Sequence, residues 1–445
     1  MEKIGRREFL KGSVAAVAAA ASLGEQARAK DSSQRAPNIV LINCDDLGYG
    51  DVGCYEAEDI ATPNLDKMAK DGMRFTSFYS GAPVCTPSRA ALLTGRYAIR
   101  SGLSRVLFPD HKIGIPEEEL TLAEALKDCG YATACIGKWH LGHLPRFLPT
   151  RHGFDYYYGI PYSNDMGVPK DGYRDVPLMC GEEVIERPAV QDTLTRRYTE
   201  ETIKFIKQNK ARPFFVYLPH TMPHKPIYAS QAFKGRSKRG LYGDVVEELD
   251  WSAGQIIDAL RQEGLESNTL VMFTSDNGPY GKGSAGPLRG AKAQVFEGGF
   301  RVPFIAHWPG HIRAGSQCSQ PASMLDMLPT LLALAGGKPP GEKRLDGRDI
   351  RAMLLGMQEM PDYAFFYFRT QAIQAVRFGR WKLHVGRGDQ TLEEPELYDL
   401  VDDIGEQDDV SERYPKLVGR LTQRIQEFRE TLPANAGVGA SEASY

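Results

Sequence analysis

Asn38-Ile39-Val40-Leu41-Ile42-Asn43, continued by Cys44-Asp45-Asp46, sets the reading of this chain. An apolar run of strand length without polar alternation is what a parallel strand buried on both faces requires. This one ends in two adjacent carboxylates. The pattern recurs three times. Tyr131 to Ile136 runs into Gly137-Lys138-Trp139-His140, Pro213 to Leu218 into His220-Thr221-Met222-Pro223-His224, and Leu270 to Ser275 into Asp276-Asn277-Gly278. Helical signals separate the strands. Thr62-Pro63 opens a helix that Gly72 closes, Thr121 and Glu124 form a capping box ahead of Gly130, and Tyr198 to Asn209 and Gly243 to Glu263 read as helices. The alternation predicts an α/β fold, a large and mostly parallel sheet sandwiched by helices. In open α/β sheets ligands bind outside the carboxyl ends of the strands, so the four polar clusters are expected to converge on one site.

From Ala335 to Gly347 the chain turns to Gly, Pro and charge (AGGKPPGEKRLDG). A domain boundary is expected there. Strand-like pieces follow at Ala364 to Phe368, Ala372 to Phe378 and Trp381 to Val385, then a polar acidic stretch and an amphipathic helix from Tyr414 to Thr431. Together they predict a smaller C-terminal antiparallel sheet covered by one helix. At the other end, Arg6-Arg7 with Phe9, Leu10 and Lys11, a short Ala-rich run and Ala27-Arg28-Ala29 look like a twin-arginine export signal. The apolar run is too short to span about 30 Å of hydrocarbon, so no stable membrane insertion is expected. The chain thus divides into a signal (1–29), a main domain (30–340), a C-terminal subdomain (341–432) and a tail (433–445). Lys and Arg total 54 against 57 Asp and Glu, a net charge of −3, which argues against a nucleic-acid partner. The seven cysteines contain no CxxC, which excludes a zinc ribbon.

Asp45, Asp46, Asp276 and Asn277 are all hard oxygen donors. Gathered without a cation, the carboxylates would repel until one protonated; around a calcium or magnesium ion they become ligands. Taken singly, Asp-Asp also suits a capping turn and Asp-Asn-Gly an ordinary turn. Cys85-Thr86-Pro87-Ser88-Arg89, followed by Ala90-Ala91-Leu92-Leu93-Thr94-Gly95-Arg96, predicts a helix starting near Cys85, with Arg89 one turn further in. A helix N-terminus favours an anion. In isolation the same string fits a buried cysteine with Arg89 in a surface salt bridge.

The whole string resembles the signature of type I sulfatases, members of the alkaline phosphatase superfamily. The resemblance extends over residues 37 to 335, through Asp45-Asp46, the GKWHLG stretch at 137–142, Asp276-Asn277-Gly278, Leu288 to Lys292 and Glu297-Gly298-Gly299-Phe300-Arg301. HGFD at 152–155, PHKPIYAS at 223–230 and YGD at 242–244 are similar to the arylsulfatase and N-acetylgalactosamine-6-sulfatase group. It implies an alkaline phosphatase-like fold and hydrolysis of a sulfated carbohydrate or aryl sulfate. Cys85 would be converted by a maturation enzyme to Cα-formylglycine, whose hydrate attacks sulfur. One divalent cation, calcium ahead of magnesium, would be held by Asp45, Asp46, Cys85 in its formylglycine form, Asp276 and Asn277. Arg89 would hold the formylglycine, Lys138 and Lys292 the sulfate, His140 would act as base for sulfate release, and His224, rather than His220, as general acid with Lys292. A twin-arginine signal would bring in the Tat export machinery and a periplasmic or extracellular location. Alternatives are a phosphonate monoester or phosphodiester hydrolase of the same superfamily, and a non-catalytic glycan-binding protein with an unmodified Cys85. His143 and His152 read as structural or rim residues. The aromatic run Phe154 to Tyr158 with Tyr162 suits either sugar stacking or core packing.

Overall fold

The computed structural model describes residues 35–170, 173–338, 341, 344–388 and 390–433. The expected export signal over 1–29, and residues 434–445 of the expected tail (433–445), lie outside the described residues. An 11-stranded sheet forms the centre. Its strands are β1 (Asn38–Cys44), β2 (Met73–Tyr79), β3 (Ala132–Ile136), β4 (Tyr156–Gly159), β5 (Leu178–Cys180), β6 (Glu183–Glu186), β7 (Phe214–Pro219), β8 (Thr269–Ser275), β9 (Arg301–His307), β10 (Ser316–Cys318) and β11 (Ala322–Ser323). They run in the order β10-β2-β9-β8-β1-β7-β3-β4-β5-β6, with β11 beside β2. The middle, from β8 to β4, is parallel; β9 and β5 pair antiparallel to its two sides. The four strands read from sequence all lie in this parallel middle, where both faces are covered and the apolar runs are unbroken.

Helices α1 (Pro63–Asp71), α2 (Cys85–Thr94), α3 (Leu122–Asp128), α4 (Leu194–Asn209), α5 (Leu241–Gln262) and α6 (Met327–Leu334) flank the sheet. Two apolar layers result. Val40 and Ile42 pack toward α4 and α5 residues such as Tyr198, Val246 and Ile256, whereas Ile39 and Leu41 pack toward Leu92, Leu93, Leu126 and Leu328. Alternate side chains of one strand thus feed opposite layers, as the period of two requires. The Thr121–Glu124 capping box forms as expected, each side chain accepting from the other's backbone N–H.

Beyond residue 344, β12 (Ala364–Arg369), β13 (Ala372–Phe378), β14 (Trp381–Arg387) and β15 (Gln390–Asp399) form a four-stranded antiparallel meander. Helix α7 (Pro415–Glu430) buries Leu421, Ile425 and Phe428, one helical stripe, with Phe428 stacked on Phe366 at 4.0 Å. Buried charges join this sheet to the main one. The fully buried Lys382 ammonium donates to Glu297 at 3.0 Å and to the Val295 carbonyl at 2.9 Å, and pairs with Glu406 at 2.9 Å. Burial works against the Glu297 carboxylate, but Lys382 first, then Arg377 and Arg301, hold it well below the usual range. Lys382→Met is expected to destabilise the protein by about 3–5 kcal/mol, because Glu297 loses the nearest of its cations and Glu406 loses its lysine, both in a buried setting; denaturant unfolding of the variant measures this. Among the described residues no helix is long and apolar enough to cross a membrane.

Candidate active site

Strand register brings the site together. β1 and β8 pair in parallel with Cys44 opposite Ser275, and the Asp276 N–H donates to the Cys44 carbonyl at 2.9 Å. Asp45 and Asp276 therefore leave the sheet side by side. On the other flank of β1, Asn43 lies opposite Pro219, and the Lys138 N–H donates to the Pro219 carbonyl at 2.7 Å. Gly137 makes that crossing with φ 135°; a Cβ there would sit 2.0 Å from the Pro219 oxygen. All four predicted strand ends open at one edge of the sheet.

Helix α2 begins at Cys85, and Val84 before it supplies no side-chain cap, so its first N–H groups are left to whatever lies at its tip. Gly95 closes it with φ 66°. Cys85 Sγ lies 3.4 Å from Asp45 Oδ1 and 3.5 Å from Lys292 Nζ. Asp45, Asp46, Cys85 and His224 each place one ligand atom within 4.8 Å of the others. Arg89 is fully buried, not in a surface salt bridge: Nε donates to Asp276 at 2.9 Å and Nη1 to the Lys138 carbonyl at 2.8 Å. Lys138 pairs with Asp45 and donates to Ser163 at 3.1 Å. Lys292 straddles Asp46, reaching its two oxygens at 2.6 and 2.7 Å. Asn277 Nδ2 donates to Asp46 at 2.8 Å and to the Gly278 carbonyl at 2.9 Å, while its Oδ1 is buried with no hydrogen-bond partner. Among the described residues six non-glycine positions take positive φ, and two of them are Asp46 at 66° and His140 at 61°. Strain of this kind persists where the surroundings over-determine the backbone, and it gathers at functional sites.

The two candidate histidines separate cleanly. His224 Nε2 lies 3.7 Å from Asp46, and its Nδ1 faces two acceptors, Asn164 Oδ1 at 3.0 Å and the Lys225 carbonyl at 2.6 Å. Asn164 is locked in that orientation, since its Nδ2 donates to Gln191 and to the Pro226 carbonyl. His224 Nδ1 therefore carries a proton. His220 instead turns to α5, with Nε2 3.2 Å from Ser252, and burial pushes it down to about 3. His140 Nε2 lies 2.9 Å from the Leu107 carbonyl, which can only accept, so Nε2 holds the proton and Nδ1, buried without a partner, keeps its lone pair.

Charge is distributed unevenly. Burial would raise Asp45, but Lys138, then His224, Arg89 and Lys292, hold it well below the usual carboxylate range. Asp276 goes the other way: burial first, then the charge of Asp45, pushes it up to about 7. Burial, then Asp45, also raises the Cys85 thiol above its ordinary value, so the free cysteine is a protonated and poor nucleophile at neutral pH.

The sulfatase family model matches residues 37–337, two-thirds of the chain. The chain belongs to the type I sulfatases, of the alkaline phosphatase superfamily. A second model, the C-terminal region of N-sulphoglucosamine sulphohydrolase, matches residues 291–431 of this sulfatase. Its sequence is 40% identical to mouse (Mus musculus) N-acetylgalactosamine-6-sulfatase, over 89% of this chain and 86% of the relative. It is also 40% identical to human (Homo sapiens) arylsulfatase A, covering 92% and 91%. Among solved structures, Ps i-CgsB in complex with k-i-k-neocarrahexaose superposes with a TM-score of 0.79 at 32% identity, covering 88% and 93%. The sulfatase is a sulfuric ester hydrolase.

Sequence reasoning missed Ser163, Asn164 and Gln191, which seat Lys138 and His224. Ser163 and Asn164 sit on the segment after β4 and Gln191 on a single 3-10 turn before α4, and no apolar periodicity marks either place. Of the residues left open, Phe154, Tyr157 and Tyr158 are buried, and Phe154 stacks on Phe215 and Tyr217, so this run is core. His152 is buried and stacks on Trp139, while His143 stands edge-on to Tyr162.

Proposed function

We propose that this sulfatase cleaves a sulfated saccharide with residue 85 in its Cα-formylglycine form and one divalent cation, calcium ahead of magnesium, held by Asp45, Asp46, residue 85, Asp276 and Asn277. The observation that carries the reading is the placement of Cys85: buried at an uncapped helix tip, between Asp45 and Lys292, with a thiol that burial keeps protonated. The donor set suits a hard cation, and the unpartnered Asn277 Oδ1 completes it. When bound, the cation withdraws charge from a sulfuryl oxygen and favours the ionised form of the attacking hydroxyl.

The aldehyde at residue 85 hydrates to a gem-diol. One hydroxyl loses its proton to solvent and attacks sulfur as the alkoxide, and the bond from sulfur to the leaving oxygen breaks. Lys138 and Lys292 neutralise the sulfuryl oxygens, while Arg89 fixes residue 85. The leaving oxygen takes a proton from Nε2 of the imidazolium form of His224, assisted by Lys292; burial works against that form, and the Asp45 and Asp46 charges favour it. His140 Nδ1, the free lone pair, then removes the proton of the second hydroxyl. The carbon–oxygen bond to sulfate breaks, and the aldehyde returns. Maturation of Cys85 needs a formylglycine-generating enzyme, and the residues at 1–29 support export through the Tat machinery. The lysine pair at the sulfuryl group supports sulfate over phosphonate or phosphodiester substrates.

Mass analysis of the peptide spanning residue 85, from protein made in a host with the maturation enzyme, tests the reading. An aldehyde is expected; a thiol in active enzyme would refute it. His224→Ala is expected to lower kcat about 10²–10⁴-fold for aryl sulfates with poor leaving groups, and far less for 4-nitrophenyl sulfate. A leaving-group dependence that appears in His220→Ala instead would reverse the assignment.

A further inference from the structure

The site opens to solvent along one edge. The His224 and Lys292 side chains are 8% and 14% exposed, whereas the other members of the cluster are 2% exposed or less. These are the two groups assigned above to the leaving oxygen, and the inference rests on that assignment: the leaving group must emerge between them.

Two side chains stand at this opening. Tyr280 is 44% exposed, three residues after Asn277. Its ring centroid lies 5.9 Å from Lys292 Nζ, and the Lys292 N–H donates to the Pro279 carbonyl at 3.0 Å, which ties the two segments together. Lys225 is exposed and directly follows His224, to which its carbonyl is bonded. Its ammonium donates to the Tyr280 hydroxyl at 2.8 Å and lies 4.2 Å from the ring centroid. The backbones of both residues are therefore anchored in the catalytic cluster while their side chains face solvent. Among the described residues no carboxylate pairs with Lys225.

We propose that Tyr280 and Lys225 form the subsite for the leaving group, and that this subsite takes a sugar carrying a second anionic substituent, a carboxylate or a further sulfate. An aromatic face packs against the apolar face of a pyranose and offers a polar tip at its edge. An ammonium that no acid neutralises, held beside that face, supplies the counter-charge for an anion one substituent away from the sulfate being cleaved. In an exposed setting such a pair contributes modestly and is weakened by salt.

The test compares three substrates with the matured enzyme: a 6-sulfated N-acetylhexosamine, the same residue linked to a hexuronate, and the same residue with a second sulfate. The wild-type enzyme is expected to prefer at least one charged substrate at low salt, less so as ionic strength rises. Lys225→Gln is expected to lower the charged-to-neutral ratio of kcat/KM about three- to tenfold, mainly through KM, and Lys225→Arg to retain it. Whichever charged substrate shows the loss identifies the anion. An unchanged ratio in Lys225→Gln, with sulfate hydrolysis intact, would overturn the subsite and leave the catalytic reading standing. Wild-type enzyme that turns over no sulfate ester would overturn both.

Discussion

Cys85→Ala is expected to lose at least about 10⁴-fold in kcat toward 4-nitrophenyl sulfate while keeping its fold. The substitution removes one sulfur from a side chain whose only polar contacts among the described residues are Asp45 and Lys292, at 3.4 and 3.5 Å. Both partners keep stronger ones: Lys138 pairs with Asp45, and Lys292 holds both oxygens of Asp46. Nothing charged is orphaned, and the change in unfolding midpoint should stay within a few degrees. No neighbouring group can take over the attack. Ser88, one turn along α2, donates instead to the Asp276 carbonyl. Cys85→Ser separates two roles. Its single hydroxyl can receive the sulfuryl group, but no second oxygen is left on that carbon to expel sulfate. The expected result is release of no more than one equivalent of phenol per enzyme, then arrest with the sulfate ester held on the introduced hydroxyl. Steady turnover by either variant would remove residue 85 from the reaction.

The parts of this site legible in the sequence are those that the sheet itself places. Asp45, Asp276, Lys138 and His224 follow apolar runs that can only be buried parallel strands, and adjacent parallel strands in register must deliver their next residues to one edge. Residues held by loops are not legible in that way. Ser163 and Asn164 lie after the short β4, where no periodicity fixes the path, and only the folded chain shows them on Lys138 and His224. The same limit applies to the fold. β9 hides because Pro303 interrupts it; the register with β2 shifts between Val302 and Phe304, a break at which a proline is tolerated. β15 reads as a polar acidic stretch because it is the edge strand of its sheet, and Glu393 and Glu394 with Pro395 are the residues that keep such an edge from pairing further. Lys382 and Glu406 carry no functional signature at all. Their meaning depends on Glu297, about a hundred residues earlier in the chain, and on the burial that forces these charges, with Arg301 and Arg377, to be paired.

Removal of the proposed divalent cation is expected to have the second large effect. Treatment with a chelator is expected to abolish turnover and lower the unfolding midpoint, with calcium restoring both more fully than magnesium. The energetic reason is the carboxylate cluster. Asp45, Asp46 and Asp276 are buried together, and without a cation burial and the Asp45 charge push Asp276 up to about 7. Below that value the stripped protein carries a proton on Asp276; above it, it does not. A cation needs the carboxylate form, so its binding must release that proton, and affinity should fall about tenfold per pH unit as the pH drops below 7. Well above pH 7 the release should vanish and the affinity should level off. Calorimetry at pH 6 and pH 8.5 in buffers of different ionisation enthalpy, with no substrate present, counts the protons directly. Saturation at 100 times Kd adds about 2.7 kcal/mol to the folded state, roughly 3 °C for a chain of this length. A midpoint that ignores calcium, or proton release equal at the two pH values, would mean that these carboxylates do not surround a cation, and the hydrolysis would then need another source of charge at the sulfuryl oxygens.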